Sequence, residues 1–192
     1  MRRQERCYYN KWNTYEKDLK KDGWMAPCLL VKYLHKFLLG GELMLDVGCG
    51  TGLIGNELGM IGWHGQLIGI DIAQKRLVEA ARKPIYSSCL QMDANKLEFK
   101  DCSFDVVVSS GVVGLTGPKS IDQMYRVVKV GGLIACTIVE LNNNSGAKKR
   151  FHNSCTHINY LSGQKLKYVD LGTGYSGERD DEHHVLYIFR RE

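Results

Sequence analysis

Residues Leu45 to Gly52 read LDVGCGTG, an apolar strand running into a loop with glycine at every second position. Gly48, Gly50 and Gly52 remove the side chains that keep a ligand off the backbone, and they supply the positive φ angles of a tight strand-to-helix turn. Ligand atoms can then touch the main chain around Cys49. A shifted register, Gly50, Gly52 and Gly55, also fits the G-x-G-x-x-G pattern of dinucleotide sites. Asp46 argues against it: a carboxylate at the strand's carboxyl end repels a pyrophosphate and attracts a cation. The chemistry at this turn is therefore that of a positively charged, nucleotide-like ligand.

LDVGCGTG resembles the first motif of class I S-adenosylmethionine-dependent methyltransferases, whose cofactor carries an ammonium and a sulfonium. The resemblance extends over roughly Glu42 to Ile138. The narrower likeness is to the methyltransferase-like family named for the Williams–Beuren syndrome chromosome region, through a Y-x-x-W segment and the LDV-x-CGTGL core.

Three further positions carry chemistry. Asp71 ends the next strand about twenty residues beyond the glycine turn, where an acid can accept both hydroxyls of a ribose; its plainer role is to cap the following helix. Ile72 would flank the adenine. In QMDANKLEF, Gln91 to Phe99, the resemblance places Asp93 against the adenine amino group and the amide of Ala94 on the same edge, while an ordinary Asx turn would also use Asp93. FDVVVSSGVVG, Phe104 to Gly114, resembles the strand and loop beneath the methionine moiety, with Ser109 at the cofactor. It lacks the D/N-P-P-aromatic motif of enzymes that methylate nucleic-acid amino groups. Serine is also a poor partner for magnesium beside carboxylate, so the chemistry is expected to need no metal.

Upstream, YYNKWNTYEKDLK, Tyr8 to Lys20, is similar to a segment that precedes the core of small-molecule methyltransferases. Tyr9, Trp12 and Tyr15 there would form a lid over the cofactor, or else ordinary packing. Tyr15, Glu140, His183 and His184 are candidates near the pocket mouth, but no motif singles out a general base. No catalytic residue is assigned.

To position these groups the chain must alternate strand and helix. Periodicity predicts a helix over Met25–Leu39 ended by Gly40-Gly41, the first strand, a short helix to about Ile61, and a strand at Gln66–Asp71. A helix through Arg82 and a strand at Tyr86–Gln91 follow. Then come a strand at Phe104–Val108, a helix over Ser120–Lys129, and a strand at Leu133–Val139 introduced by Gly131-Gly132. Such alternation implies a doubly wound parallel sheet with ligands at the strands' carboxyl ends. Lys165–Leu171 and His184–Arg190 read as an antiparallel pair, so the expected fold is a Rossmann-like α/β sheet, mostly parallel and seven-stranded, with a reversed C-terminal strand and helices on both faces.

Composition fits one domain over residues 1–192, with 1–41 as an N-terminal helical cap. At 192 residues, 44% of them hydrophobic, the chain can bury roughly 70% of its unfolded surface. A net charge of +5 with scattered basic residues gives no nucleic-acid footprint. The acceptor is expected to be a small molecule or a protein. Seven cysteines without a C-x-x-C pair suggest neither a disulfide framework nor a metal site, but reduced thiols acting as small hydrophobes in cytoplasm or nucleus. No apolar run suits a leader or a membrane span. Two other readings stay open: a catalytically silent S-adenosylmethionine-binding protein, and an NAD-dependent dehydrogenase, which would need a parallel strand where the reversed one is expected.

Overall fold

The computed structural model describes residues 24–141, 157, 165–170 and 182–192. Helix α1, Ala26–Leu34, carries Pro27 in its first turn, where a missing amide hydrogen costs nothing, and ends in a 3-10 turn at His35–Phe37. Then follow β1 Leu43–Val47, α2 Leu53–Met60, β2 Gln66–Asp71, α3 Gln74–Ala80 and β3 Tyr86–Gln91. The second half holds β4 Phe104–Ser110, the short α4 Val113–Thr116, α5 Pro118–Val127, β5 Val128–Leu141, β6 Lys165–Asp170 and β7 Glu182–Arg190.

The seven strands form one sheet in the order β3-β2-β1-β4-β5-β7-β6. The first five are parallel, and β7 runs antiparallel to both β5 and β6. The strand beside β5 is thus reversed, the arrangement a dehydrogenase fold would not show.

Several boundaries differ from the periodicity reading: α1 ends at Leu34 rather than Leu39, β4 runs on to Ser110, β5 runs on to Leu141 and β7 begins at Glu182. Helix α5 begins at Pro118, because Gly117 (φ 82°) turns the chain and proline's fixed φ suits a first helical position. Strand β5 starts before the Gly131-Gly132 pair, which lies inside it as an irregularity: Phe104 pairs with Val128, yet Val106 pairs with Leu133. The residues between are pinned by reciprocal bonds, Gly131 N to Arg191 O at 2.8 Å and Arg191 N to Gly132 O at 3.0 Å. The short α4 was not foreseen, since four residues carry too little periodicity to register.

Strand alternation divides the core between the sheet's faces. One face packs Leu45, Val47 and Val107 with Ile121, Met124 and Val127 of α5. The other packs Met44, Val106 and Val108 with Leu30 and Leu34 of α1, Ile54 and Leu58 of α2, and Leu77 of α3. Asp46 alternates onto this second face, and so does Tyr86.

Glycines make the space for the Tyr86 ring there. A Cβ at Gly55 would lie 2.4 Å from Tyr86 Cε2, one at Gly69 2.8 Å from Cε1, and one at Gly52 2.8 Å from Cε2. Gly55→Ala is therefore an overpacking substitution at an ordinary helical φ, against a ring wedged from several sides. It should cost about 1–3 kcal/mol, read by urea unfolding; a change below a few tenths would show that the ring moves freely.

Candidate ligand site at the carboxyl ends of the strands

The glycine turn folds back over β2. Gly48 N and Cys49 N both donate to Ile70 O at 2.8 Å, which places the turn above the end of the neighbouring strand. Gly48, Gly50 and Gly52 have φ of 73°, 56° and 88°, a region that L side chains rarely occupy. At Gly50 a Cβ would meet nothing within 4 Å, so the backbone lies bare toward a cavity. That cavity is lined by Asp46, Gly48, Cys49, Gly50, Asp71, Ile72, Asp93 and Ala94 among others. Eight of the residues singled out from sequence therefore meet in one place.

Asp46 forms the floor. Its Oδ2 accepts the Tyr86 hydroxyl proton at 2.7 Å, and its Oδ1 is buried with no partner among the described residues. Burial pushes the carboxyl up to about 7, opposed by the Tyr86 hydrogen bond and reinforced by the Asp71 charge. The negative charge inferred from sequence is thus conditional, because burial favours the protonated carboxyl. A cation would draw it back to the carboxylate.

Asp71 binds the main chain twice, accepting Gly50 N at 2.9 Å and Ala73 N at 2.7 Å. Both the capping role and an unforeseen one are present, because the same carboxylate ties the glycine turn to the next strand end. Its pKa is raised by burial, against the pull of those amides and of Arg76. Each oxygen keeps a second lone pair for a hydroxyl donor. Asp93 makes an Asx turn, accepting Asn95 N at 2.8 Å, and still lines the cavity.

Ser109 does not line it. The side chain is fully buried and donates to Val47 O at 2.9 Å, and alternation along β4 gives the cavity Ser110 instead. The misplacement is one residue, which in a strand is the opposite face. Ser110 Oγ lies 3.1 Å from Thr137 Oγ1, which also accepts Gly111 N at 3.1 Å, so this strand end presents hydroxyls and amides rather than carboxylate.

Four residues were missed. Trp24 and Thr51 line the cavity with buried Nε1 and Oγ1 atoms that have no partner among the described residues. Arg76, on α3, is only 7% exposed and lines the same cavity, and Tyr86 supports Asp46 from β3. Only Thr51, inside CGTG, had a sequence signal. Tyr9, Trp12 and Tyr15 lie outside the described residues, as do the side chains of Glu140 and His183. His184 is buried within β7 at 1% exposure and is absent from the cavity lining.

The Asp46 shift has a sign that can be tested. A folded pKa of about 7 against an ordinary 3.8 means that the folded state holds the proton longer. Stability is then greatest below the ordinary value and falls as pH rises through about 7. Asp46→Asn removes this dependence while Asp71 keeps its own. The stability difference between variant and wild type should therefore move in the variant's favour from pH 4 to 7 and level off above, read by thermal melts of ligand-free protein. A difference independent of pH would contradict the shift.

Residues 45–136 match the family described as "Methyltransferase domain". The mouse eEF1A lysine and N-terminal methyltransferase (Mus musculus) is 32% identical over 123 residues, 56% of this chain and 17% of that protein. Human methyltransferase-like protein 27 (Homo sapiens) is 32% identical over 138 residues, 68% of this chain and 56% of that protein. The chain thus spans well under two thirds of these relatives. A solved structure, Haemonchus contortus phosphoethanolamine N-methyltransferase 2 in complex with phosphomonomethylethanolamine and S-adenosylhomocysteine, superposes with a TM-score of 0.68 at 15% identity, covering 85% of this chain and 52% of that one. With its acidic glycine turn, reversed β7 and these matches, the chain carries a methyltransferase domain of the class I, S-adenosylmethionine-dependent type.

Proposed function

We propose that this protein transfers a methyl group from S-adenosylmethionine, in line and without a metal, to an acceptor that is most simply a small molecule. The observation that carries the reading is the fully buried Oδ1 of Asp46, without a partner among the described residues, in a cavity that the side-chain-free backbone at Gly50 also lines. A buried carboxylate oxygen without a partner is costly, and a ligand ammonium is the group that would relieve it.

The residues present fit the cofactor. Asp46 would hold the ammonium, Asp71 the ribose hydroxyls, Ile72 the adenine face, and Asp93 with the Ala94 amide the adenine edge. When bound, the cofactor supplies a sulfonium-activated methyl group, a donor potent enough that general-base help is optional. The protein's part is then alignment and exclusion of water, effects worth up to ~7–11 kcal/mol. Trp24, Val112 and Leu115 lie at the cavity's apolar side and would shield an acceptor there. The cap formed by residues 1–41, with Tyr9, Trp12 and Tyr15 as its lid, would complete the enclosure. Metal independence is supported by hydroxyls rather than carboxylates at the end of β4.

A protein acceptor is the second reading, supported by a relative named for lysine and N-terminal methylation. The likeness to the Williams–Beuren region methyltransferase-like proteins rests on the sequence segments that suggested it. Specific nucleic-acid binding is not part of the proposal. Among the described residues no helix is long and apolar enough to cross a membrane; a cytoplasmic setting is proposed because the five described cysteines are free thiols.

S-adenosylhomocysteine should raise the melting temperature and NAD should not. Asp71→Ala should remain folded and lose about 2–4 kcal/mol of S-adenosylhomocysteine affinity by calorimetry. Equal stabilisation by both ligands, or unchanged affinity in the variant, would overturn the assignment. Mass spectrometry of extract incubated with methyl-labelled S-adenosylmethionine and the protein separates the acceptor classes: a labelled metabolite supports the first, a labelled protein band the second.

A further inference from the structure

The glycine turn also carries a thiol. Cys49, 7% exposed, sits between Gly48 and Gly50 with its amide on Ile70 O. Its sulfur lies over β2, where a Cβ at Gly69 would come within 2.8 Å of Cys49 Sγ. Gly69 is paired with Cys89 across β2 and β3, and paired residues of parallel strands project to the same face of a sheet. The missing side chain at Gly69 therefore leaves the Cys49 sulfur over β2 on the face to which Cys89 projects, so that the two thiols are neighbours above the sheet and each perturbs the other's ionisation. Both are free, Cys49 buried and Cys89 half-buried. Interaction with Cys89, burial and the nearby carboxylates hold Cys49 protonated. Cys89 is the more exposed of the two, so an oxidant reaches it first, with the Cys49 sulfur behind it.

We propose that Cys49 and Cys89 form an oxidation site, joined into a disulfide by a hydroperoxide, and that this bond pulls the glycine turn off its ligand. The second half rests on the reading of the cavity as the S-adenosylmethionine site. In the first step the Cys89 thiolate attacks a peroxide oxygen. The O–O bond breaks, Cys89 becomes a sulfenic acid, and the second oxygen leaves with a proton as water or alcohol. In the second step the Cys49 sulfur displaces hydroxide from that sulfenic acid, its own proton completing a water, and the S–S bond forms. Two thiols lose two electrons in all, and the peroxide gains them. Drawing Cys49 toward β3 shifts the residue that carries the next amide, Gly50 N, whose bond to Asp71 fixes the turn.

The experiment treats the reduced full chain with hydrogen peroxide, maps non-reduced peptides by mass, and titrates S-adenosylhomocysteine before and after. The expected map shows a peptide pair linked through Cys49 and Cys89, while the exposed Cys102 takes up oxygen. Affinity should fall at least tenfold and return with dithiothreitol. Cys89→Ser, which leaves the cavity lining intact, should bind S-adenosylhomocysteine like the reduced wild type and keep that affinity after peroxide. Oxidation of Cys102 without a Cys49–Cys89 link would overturn the proposal. So would a linked protein whose affinity stays within twofold of the reduced form. Peptide mapping needs no ligand, so a reduced protein that binds no S-adenosylhomocysteine would defeat the cofactor reading while the map still decides the thiol pair.

Discussion

The site depends on a carboxylate kept inside an apolar layer. Asp46 lies fully buried on the face of the sheet that packs against α1, α2 and α3, and it is held there by one phenolic hydroxyl from two strands away. Tyr86 reaches it because Gly69, on the strand between, leaves the path clear. The same hydroxyl accepts Gly55 N at 3.3 Å, so Tyr86 joins β1, β3 and the start of α2 through one oxygen. Its own ionisation is pushed far up by burial and by the Asp46 charge, which keeps it a donor throughout the physiological range. Removing the hydroxyl would leave both carboxylate oxygens of Asp46 without a partner among the described residues.

That constraint makes the electrostatics of the site conditional on its ligand. Asp46 and Asp71 end neighbouring strands, and each is raised by burial. Two adjacent acids in low dielectric resist ionising together. A ligand cation reverses the balance, since it lets Asp46 ionise in contact with its counter-charge. Selectivity for a cationic nucleoside over a pyrophosphate then comes from two terms: favourable pairing for the one, and a forced approach of like charges for the other.

The sheet, its order and its reversed last strand were legible because they rest on long periodic runs and on glycine positions, which constrain the backbone directly. Strands at Gln66–Asp71 and Tyr86–Gln91 fell on their read boundaries. What was not legible lay in which face a residue presents and how far a side chain reaches. Ser109 and Ser110 are chemically alike and adjacent, so only the register of β4 against β1 distinguishes core from cavity. Tyr86 at the head of a strand reads as an ordinary β-former, and nothing local shows that its hydroxyl meets an acid forty positions earlier. Arg76 reads as helix surface by type, and Trp24 precedes the first helix without belonging to any motif. Each enters the cavity through tertiary packing that one sequence does not encode locally.

The two ends of the same strands treat their acids oppositely, and this locates function on the sheet without reference to any motif. At the amino end, Glu42 is half-buried, yet bonds from Trp63 Nε1 at 2.8 Å and Gly40 N at 3.1 Å hold its pKa low. Asp105, also at that end, is held low by Lys129 at 2.7 Å and accepts Leu43 N at 2.9 Å. These acids stabilise the ionised form, as structural carboxylates do. At the carboxyl end Asp46 and Asp71 are raised, and the buried Oδ1 of Asp46, Oγ1 of Thr51 and Nε1 of Trp24 lack partners among the described residues. Folding alone gives no reason to leave polar atoms in that condition. Glu42 and Asp105 at the amino end are met by the protein's own groups, and the acids at the carboxyl end are organised for groups that a ligand brings.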